Sequence, residues 1–231
     1  MKLKHSIWIL TSFAIAMGYL EAAVVVYLRE ILYPEGFSFP LSPIPGNLAV
    51  TELLREAATL VMLVTVGTIA GRRFSTRFAW FLYSFAIWDI FYYVFLKLLI
   101  GWPGSLLTWD ILFLIPTTWT GPVLAPLLVS LTMILLSMAI LVRSEGGRET
   151  RITGRVWAGL SGGSLVLIFS FIFDYSRFML VGFSLREMFS LHNPEVMFAA
   201  TSYIPDAFPW WIFAAGEVMI LFSVVWYWRK K

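Results

Sequence analysis

The chain reads as an all-α polytopic membrane bundle of six crossing helices with one short outer helix, re-entrant or interfacial. Three observations carry this. Of 231 residues, 59% are apolar and only 13% charged, against roughly 45–50% and about 25% in soluble globular domains. Mean hydropathy is +0.81. Six apolar runs each approach the ~20 residues needed to cross a ~30 Å hydrocarbon core. The whole of 1–231 is expected to form a single transmembrane domain.

The first run, Ser6–Leu28, follows Lys2 and Lys4 and contains Ala14-Ile15-Ala16, a pattern shared with signal peptides. Its apolar stretch continues through Val26, too long for a signal core, so it is a retained span. Tyr33–Asn47 carries Pro34, Pro40, Pro43 and Pro45 and cannot be helical. Spans two and three follow at Leu48–Ala70 and Phe78–Ile100. The stretch Gly101–Pro116 has an 11-residue apolar core, Ser105–Ile115, between Pro103 and Pro116. A helix of that length is too short to span, hence the short outer helix. Span four is Gly121–Val142, with Pro126 a potential kink. Span five is Val156–Phe173 and span six Pro209–Trp228. The long Asp174–Phe208 connection has room for a surface helix near Ser184–Leu191, ended by Asn193-Pro194.

Charge sets the expected orientation. With the N-terminus inside, the inner segments hold 12 of the 17 Lys and Arg, including Arg72, Arg73, Arg77, Arg143, Arg148, Arg151 and Arg155. Arg29, Arg55, Lys97, Arg177 and Arg186 fall on the outer side. This is the positive-inside bias of a cell-membrane protein with both termini cytoplasmic. It also accounts for the net charge of +3, so nucleic acid is not an expected partner. Trp8, Trp157, Trp226 and Trp228 lie at inner span ends, and Trp102, Trp210 and Trp211 at outer ones, as interfacial anchors.

Several chemistries are excluded or weakened. With no Cys there is no disulfide, iron–sulfur cluster or thiol nucleophile. Two His, His5 and His192, cannot build a three-His zinc site, and no haem is expected. The Gly-x-Ser-x-Gly elbow, His-Glu-x-x-His and the phosphate-binding Gly-rich loop are all missing.

The ionisable residues inside the spans carry the functional signal. Glu21, Glu56, Asp89 and Glu217 lie at membrane depth, where a charge costs about 2.5–3.5 kcal/mol and normally faces the bundle interior. Glu56 and Glu217 each lie about 12 Å from the outer end of their spans by helix rise. Glu52 shares the face of Glu56 at i, i+4, and Arg55 stands at i, i+3 from Glu52. Such a pattern holds a hard cation, accepts a ligand's hydrogen bonds, shares a proton, or forms a structural ion-pair network. In span three, Asp89, Tyr92, Tyr93 and Lys97 make a polar stripe in which a tyrosine hydroxyl is expected on Asp89. Asp110, Asp174 and Asp206 belong to outer segments. The candidate ligand-binding set is therefore Glu21, Glu52, Arg55, Glu56, Asp89, Tyr93, Lys97, Asp110 and Glu217. Glu21, Glu56, Asp89 and Glu217 are the candidate metal ligands, expected to converge on one outer-half cavity. Five acids against Arg55 and Lys97 leave negative charge for a proton or a divalent cation to neutralise.

Small residues mark the packing faces. Ala14, Gly18 and Ala22 recur every fourth residue in span one, Gly159 and Gly163 do so in span five, and Gly216 precedes Glu217.

The blocks Gly18-Tyr-Leu-Glu-Ala-Ala-Val-Val-Val-Tyr-Leu-Arg29, Trp88-Asp-Ile-Phe-Tyr-Tyr93 and Ser105-Leu-Leu-Thr-Trp-Asp110 resemble those of an uncharacterised prokaryotic multi-pass membrane protein family. The resemblance covers the first half of the chain and implies no activity, substrate or site role. Three function classes follow from the residues themselves. A carrier or channel binding a proton, cation or small polar ligand leads. An intramembrane carboxylate- or metal-dependent enzyme acting on a lipid-like substrate is the second. A non-catalytic subunit or assembly factor, paired with a membrane partner, is the third. Homo-oligomers suit a carrier of this size.

Overall fold

The computed structural model describes residues 3–114, 117–148, 150–188 and 194–229. Six helices are long and apolar enough to cross a bilayer: α1 (Leu3–Leu32), α2 (Gly46–Ala70), α3 (Phe74–Ile100), α4 (Leu124–Glu145), α5 (Gly154–Met179) and α8 (Trp210–Arg229). Between α3 and α4 lie the strands β1 (Trp109–Phe113) and β2 (Trp119–Pro122), and between α5 and α8 the short helices α6 (Leu185–Met188) and α7 (Pro194–Ala200). The chain is thus a multi-pass integral membrane protein with an all-α bundle. Each long helix coincides with a run expected from hydropathy, extended by a few residues at most ends. At about 45 Å by helix rise, the 30 residues of α1 outreach the hydrocarbon core and carry Arg29 beyond it.

In this bundle α3 packs against α1, α2 and α4, while α8 packs against α5 and α4. Close approaches occur where a side chain is missing. A Cβ on Gly18 would stand 2.9 Å from the Trp88 carbonyl oxygen, so α1 crosses α3 at that glycine. On the other side, a Cβ on Gly163 would meet the Gly216 carbonyl oxygen at 2.9 Å, and one on Gly216 the Gly163 carbonyl at 3.0 Å. These reciprocal contacts bring the α5 and α8 backbones together as small-residue seams do in membranes. At the termini end Arg143 of α4 donates to the Trp228 carbonyl at 3.1 Å, satisfying a last-turn carbonyl of α8.

The expected short outer helix over Ser105–Ile115 is not formed. Its second half is strand β1, paired antiparallel with β2, with Asp110 opposite Gly121 and Ile111 opposite Thr120. A short apolar run reads equally as helix or strand, and here the pairing partner, Trp119-Thr-Gly-Pro122, decides. Gly121 is the point of closest packing, since a Cβ there would lie 3.0 Å from the Phe208 ring and 3.2 Å from the Phe171 ring. The hairpin is tied to the start of α4 by Val123 N–H donating to Thr108 O and Leu124 N–H to Leu106 O. Pro194, expected to end a helix, begins α7, in keeping with proline's tolerance at a first helical position. His192 lies outside the described residues.

Candidate functional site

Near its hairpin end α2 presents Glu52, Arg55, Glu56 and Thr59 at i, i+3, i+4 and i+7, one face of the helix. The expected Glu52–Arg55 pair forms, with Nε donating to Glu52 Oε2 at 2.7 Å. The Arg55 Nη1 donates to Glu21 Oε1 on α1, so one guanidinium serves two carboxylates. Thr59 Oγ1 donates to the Arg55 carbonyl at 3.2 Å and extends the line.

A second cation stands in the last turn of α1. Arg29 Nη2 donates to Asp110 Oδ1 at 3.1 Å, and its guanidinium lies 3.8 Å from the Trp102 ring centroid and 4.5 Å from that of Phe37. Aromatic faces and a carboxylate together suit a partly desolvated arginine. Asp110, 2% exposed, also accepts from the Tyr93 hydroxyl at 3.3 Å. Burial raises its carboxyl from 3.8 to about 6, opposed by Arg29, the Ile111 N–H and Tyr93. The three sequence blocks Gly18–Arg29, Trp88–Tyr93 and Ser105–Asp110 therefore meet here: Arg29, Tyr93 and Asp110 are their contact residues.

Two further carboxylates have no cation. Both oxygens of Glu56 accept from the Leu114 N–H just past β1, at 3.2 and 3.0 Å. Asp89 Oδ2 accepts from Ser130 Oγ of α4 at 2.8 Å. Neither joins an ion pair among the described residues. Glu21 and Asp110 are near enough to act electrostatically on Asp89, as are Glu21, Glu52 and Arg55 on Glu56. Glu21, Glu52, Glu56, Asp89 and Asp110 thus form one cluster around Arg29 and Arg55, at the hairpin end of α1, α2 and α3.

The placement of several of these residues differs from the arrangement expected from spacing and depth. Tyr93 bonds to Asp110 rather than Asp89, because the stripe along one helix does not close on itself while β1 delivers an acid from above. Lys97 is outside the cluster: its Nζ donates to the Gly101 and Pro103 carbonyls, each at 2.9 Å, closing the end of α3. Glu217 is also apart. Its Oε2 accepts from Thr132 Oγ1 at 2.7 Å, and it lines an apolar cavity with residues of α3, α4 and α5. Ser130 and Thr132 lie two residues apart on α4, about 200° around the helix, so α4 stands between Asp89 and Glu217. The four acids hence do not converge on one cavity. Among the described residues, no group of three or more Asp, Glu or His is arranged to hold a metal ion.

Residues that depth counting did not single out complete the picture. In the sequence Arg29 is only a span-end cation, and nothing in it distinguishes Ser130 and Thr132 as partners of carboxylates. Asp174, expected in an outer segment, lies in α5 and is buried. Its Oδ2 accepts from the fully buried Tyr203 hydroxyl at 2.8 Å and from the Asp206 N–H at 3.2 Å. Tyr203 in turn accepts from Thr120 Oγ1 at 2.9 Å. Burial pushes the Tyr203 phenol up, which keeps it the donor to Asp174. This chain fastens the long α5–α8 connection to the hairpin.

The fold and this cluster define a multi-pass integral membrane protein with a buried, net-acidic polar group at one end of its bundle. The chain matches no protein-family model, no curated protein and no solved structure.

Proposed function

We propose that this protein binds and releases a proton or small cation at Glu56 and Asp89, in the service of transport across the cell membrane. The observation that carries the reading is the contrast within the cluster. Glu21 and Glu52 share the Arg55 guanidinium and Asp110 pairs with Arg29, whereas among the described residues Glu56 and Asp89 meet only neutral hydrogen-bond donors. An ionised carboxylate removed from water without a counter-charge is costly, so such a group takes up a proton or a cation. The surrounding ion pairs hold the elements that present these two groups.

The topology belongs to the same proposal. Six candidate crossings among the described residues support a reading with both termini on one side, and the basic loops Gly71–Arg77 and Arg143–Arg155 favour the cytoplasm as that side. The acidic cluster then faces the outer leaflet. Compartment reporters fused to each terminus test the orientation, and a C-terminus outside the cell overturns it.

The functional test is a thermal melt of the purified full chain across pH and added Na⁺, K⁺, Mg²⁺ and Ca²⁺, with Glu56→Gln and Asp89→Asn compared with wild type. Wild type should show a pH- or cation-dependent midpoint that both variants reduce while remaining inserted. Melting that responds identically in all three proteins would make these acids structural, and a subunit role would replace transport.

A further inference from the structure

Two cavities lie along the seam between α3 and α5. One, of about 480 Å³ at the termini end, is lined by Arg73, Phe74 and Ser75 of the α3 start and by Thr150, Arg151 and Trp157 leading into α5. The other, about 180 Å³, runs along Phe78, Leu82, Leu160 and Leu167 beside α4, with Glu217 also in its otherwise largely apolar lining. The Trp157 ring centroid stands 6.0 Å from that of Phe74 and 5.1 Å from that of Phe78, so an aromatic ledge joins them. Ser75 and Thr150 share a hydrogen bond of 2.8 Å, which fixes the two basic loops relative to each other.

Among the described residues, the charge at the mouth has no counter-charge paired with it. Arg73 and Arg151 are exposed and enter no ion pair among the described residues. Two free guanidiniums beside hydroxyls match a phosphate, which arginine binds with paired N–H donors. The first N–H groups of α3 add positive potential on the same side. Both α3 and α5 begin here, where a bilayer's headgroups meet its hydrocarbon, and the walls turn from basic to apolar within two helical turns. Free anions would use the arginines but leave the ledge and slot unfilled.

We infer that this seam is a binding site for an anionic membrane lipid whose phosphate carries no cationic headgroup of its own. Its phosphate lies between Arg73 and Arg151, and one hydrocarbon chain lies over Phe74, Trp157 and Phe78 toward the α3–α5 slot. Basic pockets between membrane helices take anionic headgroups for this reason. The site is remote from the acidic cluster: Phe74 and Asp89 are about 22 Å apart along α3 by helix rise. Failure of either proposal therefore leaves the other standing.

The test uses the full chain in a neutral detergent, with thermal stabilisation by dioleoyl phosphatidate, dioleoyl phosphatidylcholine or inorganic phosphate as the readout. Phosphatidate should stabilise wild type, and the other two probes should not. Replacing both arginines, Arg73→Ala with Arg151→Ala, should weaken the apparent phosphatidate affinity by about tenfold or more. The pair Arg72→Ala with Arg148→Ala removes the same charge outside the cavity and should keep affinity within about twofold of wild type. Equal weakening by both pairs would reduce the effect to general surface charge and overturn the site. Equal stabilisation by inorganic phosphate would make it an anion site without a lipid, and no response to phosphatidate would end the proposal. Should the double variant fail to fold, Arg73→Gln alone carries the same comparison.

Discussion

In α1, α2 and α3 the polar side chains form ion pairs: Arg55 with Glu21 and Glu52, and Arg29 with Asp110. In α4, α5 and α8 the corresponding contacts are a hydroxyl on a carboxylate, Thr132 on Glu217, and a glycine seam from Gly163 to Gly216. Both regions sit in the same solvent, yet the first adds ion pairs to its close approaches at Gly18 and Gly67, while the second relies on backbone approach and a hydroxyl. Hydrocarbon offers no hydrophobic drive between helices, so contact must come from close packing or from polar groups. The second region uses the first means and is well suited to a fixed scaffold. The first region adds the second means to its own close approach at Gly18, and it places Glu56 and Asp89, which join no ion pair among the described residues, beside three acids that do.

The largest expected effect is at the centre of the charged region. Arg55→Ala strands Glu21 and Glu52 and should cost about 3–5 kcal/mol in a denaturant titration in micelles. Adding Glu21→Gln and Glu52→Gln should restore much of the loss. At the exposed Arg177–Asp206 pair, separated by 2.9 Å, Arg177→Ala should cost less than about 1 kcal/mol in the same titration. Similar costs at both pairs would break the distinction between the buried cluster and a surface ion pair.

Packing in the other region gives a middle-sized effect. Gly216→Val places carbon against Leu167 and the Gly163 carbonyl and should cost about 1–3 kcal/mol by the same titration. It should leave the part of any pH- or cation-dependent shift in melting that Glu56→Gln and Asp89→Asn remove unchanged, because those two acids lie on the other side of α4. A lost cation response in Gly216→Val would show the two regions to be coupled.

The smaller effect concerns pH. Asp110 titrates near 6 in the folded chain against 3.8 for an unperturbed carboxyl, so the folded state holds this proton more tightly than the unfolded state. Protonation of this group therefore favours folding below about pH 4, and that contribution is lost as pH rises through about 6. Asp110→Asn should flatten this segment of the stability–pH curve. A wild-type curve that climbs over the same interval in proportion to Asp110 ionisation would contradict the sign.

The spans were legible because a run of about 20 apolar residues has few alternatives in a chain of this composition. The Glu52–Arg55 pair was legible for a similar reason: both ends sit on one helix, where spacing fixes geometry. What spacing does not contain is rotation of one helix against another. Glu56 and Glu217 have matching depths, yet α4 separates Glu217 from Asp89, since depth gives one coordinate and the face toward a neighbour is another. Helical spacing puts Tyr92 and Tyr93 a turn from Asp89, while the acid that Tyr93 bonds, Asp110, arrives on a strand. The strand itself is not legible in the sequence, since Trp109–Phe113 is too short for either period to dominate until β2 pairs with it.

The most direct test of the exchangeable acids is infrared difference spectroscopy of the full chain in lipid, recorded between about pH 5 and about pH 8 and again on adding the cation that shifts melting. The account predicts carboxyl bands that change in wild type and are lost selectively in Glu56→Gln and Asp89→Asn, while Glu217→Gln leaves them in place. Bands that persist in both cluster variants, or that vanish in Glu217→Gln instead, would contradict it.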